Sequence, residues 1–244
     1  MKRNLIFLSL FLFLFACKKE NNKPATVTDY SGWIEVQKMV YNYTEEIDSQ
    51  ETAFATFYDP PINPATIDPD SFLEMGGIYA GSMYLNGKDM LADFELPDTT
   101  QVVYGAYSDE DGSLHLDSSL TFQVGGSPAI PAFTYNAPAD FMKYHPDLPD
   151  TIVRSSGYIL NLGAAGLGAD SISISFSGSS TMPIYKTFTS GVATVTFTAA
   201  ELNSLGAGWG MIGISLHKMQ DYETGGKKYA FSGHYDIMWM LALQ

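Results

Sequence analysis

Cysteine is almost absent from this sequence, because Cys17 is the only one in 244 residues. No disulfide can form within the chain, so its stability must come from apolar burial. Basic residues are also few: 13 Lys and Arg face 27 Asp and Glu, giving a formal net charge of −14. Such a surface repels phosphate backbones and argues against nucleic acid as a partner. Hydrophobic residues make up 45% and aromatic residues 14% of the chain, which is ample for a core without disulfides.

The N-terminus has the three parts of a bacterial export signal. Lys2 and Arg3 precede an apolar stretch, Leu5–Ala16, that is shorter than the roughly 20 residues of a membrane-spanning helix. The stretch ends in Leu14–Cys17, which resembles the bacterial lipobox. That resemblance implies a signal peptide at residues 1–16 and a lipid on Cys17. A secretory signal followed by a chance cysteine, or an uncleaved anchor helix, are the alternatives.

Residues 17–29 are polar and predict a flexible, lipidated tether. Residue 18 is Lys rather than Asp, so the resemblance to enteric lipoproteins implies no inner-membrane retention signal. We therefore expect an outer-membrane lipoprotein that faces either the periplasm or the cell surface. Removal of Lys2 and Arg3 makes the mature chain two units more negative, so the lipid must supply the membrane affinity.

From Trp33 onward the apolar residues alternate with polar ones, as in strands with one buried face. Asn86-Gly87 and Asp111-Gly112 are typical of hairpin turns, and Thr198–Glu201 predicts a capping box on a short helix. A proline-rich stretch follows Gly125 and suits a connection. The sequence thus predicts an all-β fold with two antiparallel β-sandwich-like domains, at residues 30–126 and 127–244.

Three segments resemble uncharacterised Bacteroidetes-type outer-membrane lipoproteins: Tyr84–Lys88, Phe133–Pro138 and Val195–Leu202. The resemblance implies paired β-domains on a lipid tether. It implies no activity.

Two His-x-Asp pairs, His115 with Asp117 and His234 with Asp236, place an imidazole and a carboxylate on one strand face. A metal site would need further ligands, and none stands at a diagnostic spacing. The second pair has the parity opposite to Tyr235, so a solvated strand face explains it equally well.

Three carboxylates, Asp109, Glu110 and Asp111, crowd around the turn at Gly112. Calcium prefers such oxygen ligands, although Ser118 stands where the EF-hand loop requires a glutamate. A calcium site and an ordinary acidic hairpin tip are the two interpretations. We expect no other cofactor.

Gly163, Gly166 and Gly168 have the wrong spacing for either nucleotide-binding fingerprint, and no lysine follows them. We expect a loop between strands there, and no nucleotide.

Aromatic residues near glycine and proline are the remaining candidates for ligand binding. Trp209 lies between two glycines, and Phe141 and Tyr144 precede Pro146. These rings could be displayed for stacking on a sugar or an envelope protein, since loops on a rigid scaffold commonly bind ligands. The alternative is that Trp209 closes one end of a sandwich.

The sequence therefore predicts a lipid-anchored envelope protein that acts as a non-catalytic binding or structural module. A surface or periplasmic glycan hydrolase and a calcium-stabilised adhesin-like module are the alternatives.

Overall fold

The computed structural model describes residues 29–42, 48–63, 77–93, 102–109, 114–116, 119–143, 147–180 and 182–244. Cys17 and the tether up to residue 28 lie outside these ranges. The described residues form mainly β-strands, which confirms the all-β class. No helix among them is long and apolar enough to cross a membrane.

The strands are β1 Tyr30–Tyr41, β2 Asp48–Ile62, β3 Met83–Leu85, β4 Lys88–Asp93, β5 Val103–Asp109, β6 Leu120–Val124, β7 Phe133–Ala137, β8 Thr151–Ile152, β9 Tyr158–Asn161, β10 Ser171–Ser177, β11 Ile184–Phe188, β12 Thr194–Phe197, β13 Gly208–Thr224 and β14 Lys227–Leu243. The short helices are α1 Gly163–Gly168 and α2 Ala199–Ser204, with 3-10 helices at Asp140–Lys143 and Arg154–Ser156.

Twelve of these strands form one sheet in the order β11-β10-β13-β14-β1-β2-β5-β4-β3-β6-β7, and β8 pairs with the end of β14. Strands β9 and β12 form a separate two-stranded sheet. Because β1 and β8 run parallel to β14, the large sheet is mixed rather than wholly antiparallel as expected. Alternation of apolar and polar residues fixes the faces of a strand but not the direction of its neighbour.

The large sheet continues across the predicted domain boundary. That boundary lies in the connection between β6 and β7, which pair with each other. Strand β1 of the first predicted domain pairs with β14 of the second from Gly32 opposite Tyr229 to Tyr41 opposite Met238.

The core lies on one face of this sheet. Ile34, Val36 and Val40 of β1 point into it, and the alternate residues point away, as the sequence pattern requires. Strands β6 and β7 fold over the β13–β14 hairpin, so that the rings of Phe133 and Tyr229 lie 4.7 Å apart. Further along the hairpin, the buried apolar residues of β9, β12 and α2 join the same core cluster.

Local turn chemistry agrees with the sequence. Asn86 and Gly87 have φ angles of 50° and 82° in the β3–β4 turn, as the hairpin prediction requires. The capping box of α2 is also confirmed: Glu201 N–H donates to Thr198 Oγ1 over 3.2 Å, and Thr198 N–H donates to Glu201 Oε2 over 2.7 Å.

Candidate functional site

Trp209 is displayed to solvent, with 74% of its surface exposed. It is the second residue of β13 rather than part of a loop, and it pairs with Ala242 of β14. The ring therefore does not close the end of a sandwich. Its backbone is held in the sheet, so it is presented on a rigid support.

Phe141 behaves differently, and the expectation that it is displayed is wrong. Its ring is only 2% exposed and lies beneath β14, where a Cβ added to Gly233 would stand 2.5 Å from Phe141 Cζ. The glycine leaves the space that this ring fills, so Phe141 is part of the core. Tyr144 lies outside the described residues.

The calcium interpretation stays a prediction. Asp109 is the last residue of β5, and Glu110 and Asp111 lie outside the described residues. His115 is exposed, and its partner Asp117 is also outside them. Within the described ranges, no group of three His, Cys, Asp or Glu residues is placed to hold a metal ion.

The glycines near residue 165 form helix α1, not the loop that was expected. A Cβ at Gly166 would stand 2.2 Å from the backbone oxygen of Val192, and one at Gly191 would stand 2.4 Å from that of Leu167. Close packing of two backbones therefore explains Gly166, and no phosphate is needed to account for it.

Among the described residues, the face of the large sheet that points away from the core carries many candidate ligand groups. We call it the open face, and define it by the outward residues of four adjacent strands. They are Ser171, Ser173, Ser175 and Ser177 of β10; Trp209, Met211, Gly213, Ser215, His217 and Met219 of β13; Ser232, His234, Asp236, Met238 and Met240 of β14; and Trp33, Glu35, Gln37, Met39 and Tyr41 of β1.

Methionines line much of the open face beside Trp209. Met211 stands directly opposite Met240, and Met238 is in register with Tyr41. Unbranched, polarizable methionine side chains adapt to ligands of different shape and recur at binding surfaces. Sequence reasoning overlooked these residues, although Met238 and Met240 share the strand parity of His234.

A polar group occupies the middle of the same face, and we call it the histidine cluster: Glu35, His217, Ser232, His234 and Asp236. The sheet register brings these residues together, since His217 stands opposite His234 and Glu35 is in register with Ser232. The two imidazole rings have centroids 4.5 Å apart and planes tilted by 31°. The Nε2 atoms of both rings lie 3.1 Å from Ser232 Oγ.

Neighbouring polar groups hold the two carboxylates of the cluster in place. Gln37 Nε2 donates to Asp236 Oδ2 over 2.7 Å, and Trp33 Nε1 donates to Glu35 Oε2 over 3.3 Å. Glu35 Oε1 lies 4.0 Å from His234 Nε2. The cluster is therefore a connected network, not a set of independent solvated side chains.

The ionisation of the cluster is displaced from that of free side chains. Burial, helped by the adjacent His234, lowers the pKa of His217 to about 4. Burial also lowers the pKa of His234, against the attraction of Asp236. The pKa of Glu35 is raised, chiefly by burial. At neutral pH both imidazoles are consequently uncharged.

The cluster is suited to binding a ligand rather than to nucleophilic attack on it. Ser232 is only 1% exposed, so its hydroxyl is not accessible to a carbonyl substrate. A groove of about 510 Å³ does exist between β9, β12 and the start of α2, but neither a histidine nor a carboxylate lines it.

No protein-family model matches this chain, and no curated protein is similar to it.

Proposed function

We propose that this chain is a lipid-anchored protein of the outer membrane whose open face binds a ligand without transforming it. The exposed ring of Trp209 is the observation that carries the proposal, because a 74% exposed indole on a rigid strand has no role in the core. The methionines beside it extend the apolar surface, and the serines of β10 offer hydroxyls next to it.

A glycan is the ligand class that this combination favours. Sugar rings have apolar faces that stack on aromatic side chains and hydroxyls that bond with small polar groups. Ser175 and Ser177 of β10 stand opposite Gly213 and Met211 of β13, so their hydroxyls lie beside the apolar residues of β13. Tyr185, which is 70% exposed, is in register with Ser175 and adds a second ring on the outermost strand.

Binding to Trp209 can be tested with an array of bacterial and plant polysaccharides, followed by calorimetry on any ligand found. We expect Trp209→Ala to weaken binding at least tenfold, as for an aromatic residue at the centre of an interface. Ile159→Ala is the matched control, because this 65% exposed side chain lies on β9, in the smaller sheet. Equal affinity of wild type and Trp209→Ala would contradict the proposal.

Anchoring through Cys17 has its own test, independent of the ligand. Cells that express the full chain are grown with an alkyne fatty acid, and the purified protein is examined for label. We expect label on the wild type and none on Cys17→Ser, since the thioether requires the thiol. An unlabelled wild type would contradict the anchor.

Glycan hydrolysis is a second candidate, favoured by one observation. The pKa of Glu35 is raised, and Asp236 lies near enough to contribute to that shift. Glycosidases use two neighbouring carboxyl groups, of which the general acid has a raised pKa. Release of reducing ends from a bound polysaccharide, lost in Glu35→Gln, would favour the hydrolase over the binding module.

A further inference from the structure

We propose that the histidine cluster is a proton-controlled element of the open face: its two imidazoles share Ser232 when uncharged, and acidification separates them and weakens ligand binding. The first half stands on the geometry of the cluster alone. The second half, on ligand binding, rests on the proposed function.

The hydrogen bonds of Ser232 favour different tautomers for the two rings, because its proton then has an acceptor within the cluster. A hydroxyl has one proton, so Ser232 Oγ can donate to only one of the two Nε2 atoms that lie 3.1 Å away. The other Nε2 must carry a proton and donate to Oγ. In the uncharged state, one ring is therefore protonated at Nδ1 and the other at Nε2.

Protonation of both rings is unfavourable in this arrangement. Both Nε2 atoms would then carry protons directed at the same oxygen, and the serine proton would have to find another acceptor. Two positive rings would also face each other with centroids 4.5 Å apart. Like charges at this separation repel strongly where solvent is partly excluded.

The surrounding carboxylates attract a proton on either ring, but Glu35 makes its ion-pair contact with His234. From β1, the carboxylate of Glu35 lies 4.0 Å from His234, and from β14 the carboxylate of Asp236 is held by Gln37. On the β10 side, Asp170 is already paired with Lys218 at 2.7 Å.

Strand β2 contributes no charge to the cluster, because the residues it places in register with Glu35 and Gln37 are Phe54 and Thr52. Glu35 therefore compensates a proton on His234, and a second proton falls on His217. The Nδ1 atom of that ring lies 3.5 Å from Ser171 Oγ, which is an uncharged group.

His217 is the ring that we expect to leave the cluster. It occupies β13 between Ser215 and Met219, both on the open face, and β13 is the strand that carries Trp209. Outward rotation of the His217 side chain would place a charged imidazole ring over the open face, beside its methionines. A ligand that extends along β13 from Trp209 would meet this obstruction at acidic pH.

The protonation half can be tested on the wild-type full chain by nitrogen NMR with 15N-labelled histidine. At pH 7 we expect one of the two cluster rings to be the Nδ1–H tautomer and the other the Nε2–H tautomer. We also expect His217 to remain uncharged at pH 6. Identical tautomers, or two rings that are half-charged at pH 6, would overturn the proposal without any variant being needed.

Coupling between the rings is tested by the variant His234→Gln, which replaces one imidazole with an uncharged amide. We expect the midpoint of His217 to rise by at least half a pH unit, because the neighbouring positive charge is removed. His115→Asn is the matched control, since His115 is exposed, lies outside the cluster, and has a φ of 54° that asparagine tolerates. An unchanged midpoint in His234→Gln would overturn the coupling.

The binding half uses the polysaccharide found with Trp209, measured at pH 7 and pH 4. We expect wild-type affinity to fall about twofold at pH 4, where about half of His217 is protonated, and the double variant His217→Gln/His234→Gln to bind equally at both. Equal wild-type affinities would overturn this half. If no polysaccharide binds at pH 7, the proposed function fails, whereas the NMR result still decides the proton-controlled element.

Discussion

At the scale of single residues, both histidines with a shifted pKa, His217 and His234, lie on the side of the sheet opposite the core. Ser232 and Asp236 are 1% and 8% exposed although they point away from the core, and both make hydrogen bonds with side chains of the same face. The alternate residues of β14 that point away from the core therefore do not form an ordinary solvent-exposed face. Ser232 and Asp236 are instead buried within a hydrogen-bonded network.

Stability should decline as the pH falls through the weakly acidic range, and His217 should account for part of the decline. Its pKa is about 4 in the folded chain against an ordinary value of 6.5, so the unfolded chain binds this proton more readily. The contribution is complete above pH 6.5 and is lost as the pH falls towards 4. Allowing for solvent screening, we expect a loss of about 1–2 kcal/mol between pH 7 and pH 5.

Urea unfolding at pH 7 and pH 5 measures this effect as a difference between wild type and His217→Gln. The comparison is needed because Glu35, whose pKa is raised, gains stability over part of the same range. We expect the wild type to lose more stability than the variant, and His115→Asn to behave as the wild type. A variant as pH-sensitive as the wild type would show that His217 is not the titrating group.

At the scale of elements, glycine in α1 has two different roles within six residues. Gly166 has no room for a side chain, whereas a Cβ on Gly168 would meet nothing within 4 Å. We expect Gly166→Ala to lower the free energy of unfolding by about 1–3 kcal/mol, because the helix must move away from Val192. Gly168→Ala is the control, with an expected change of less than about 1 kcal/mol in the stabilising direction.

Chemical denaturation of the two alanine variants checks this prediction. A Gly166→Ala protein as stable as the wild type would mean that α1 is not packed against the segment before β12. That result would also reopen the question of why glycine occurs at this position.

The strand elements show how much the sequence could predict. The alternation in β10, β13 and β14 identified their apolar faces, and Asn86-Gly87 and Thr198–Glu201 identified a turn and a helix start. These signals are local, because they depend on the steric limits of one or a few residues. The parallel pairing of β1 with β14 was not predictable, because no local pattern in β1 indicates which distant strand completes its hydrogen bonds.

At the scale of the whole molecule, β1 and β14 tie the two predicted domains into one sheet. Residues 127–244 alone would lack β1, β6 and the ring of Phe122, which lies 6.1 Å from that of Phe231. We expect this fragment to show no cooperative unfolding, because the edge of β14 and the rings of β7 would be left uncovered.

Near-UV circular dichroism and urea titration of the fragment, beside the full chain, provide the measurement. The full chain is expected to unfold in one transition. A fragment with a fixed near-UV spectrum and its own cooperative transition would establish residues 127–244 as an independent domain.

The sequence by itself determined the all-β class, the local turns and the single cysteine on which the predicted anchor depends. It also singled out Trp209, but it ranked Phe141 beside it, because exposure depends on what packs above a residue. Only the tertiary structure decided that Phe141 fills the space left by Gly233. Only the register of three strands brought His217, Ser232 and Glu35 together, and register is set by pairing between distant segments rather than by any local pattern.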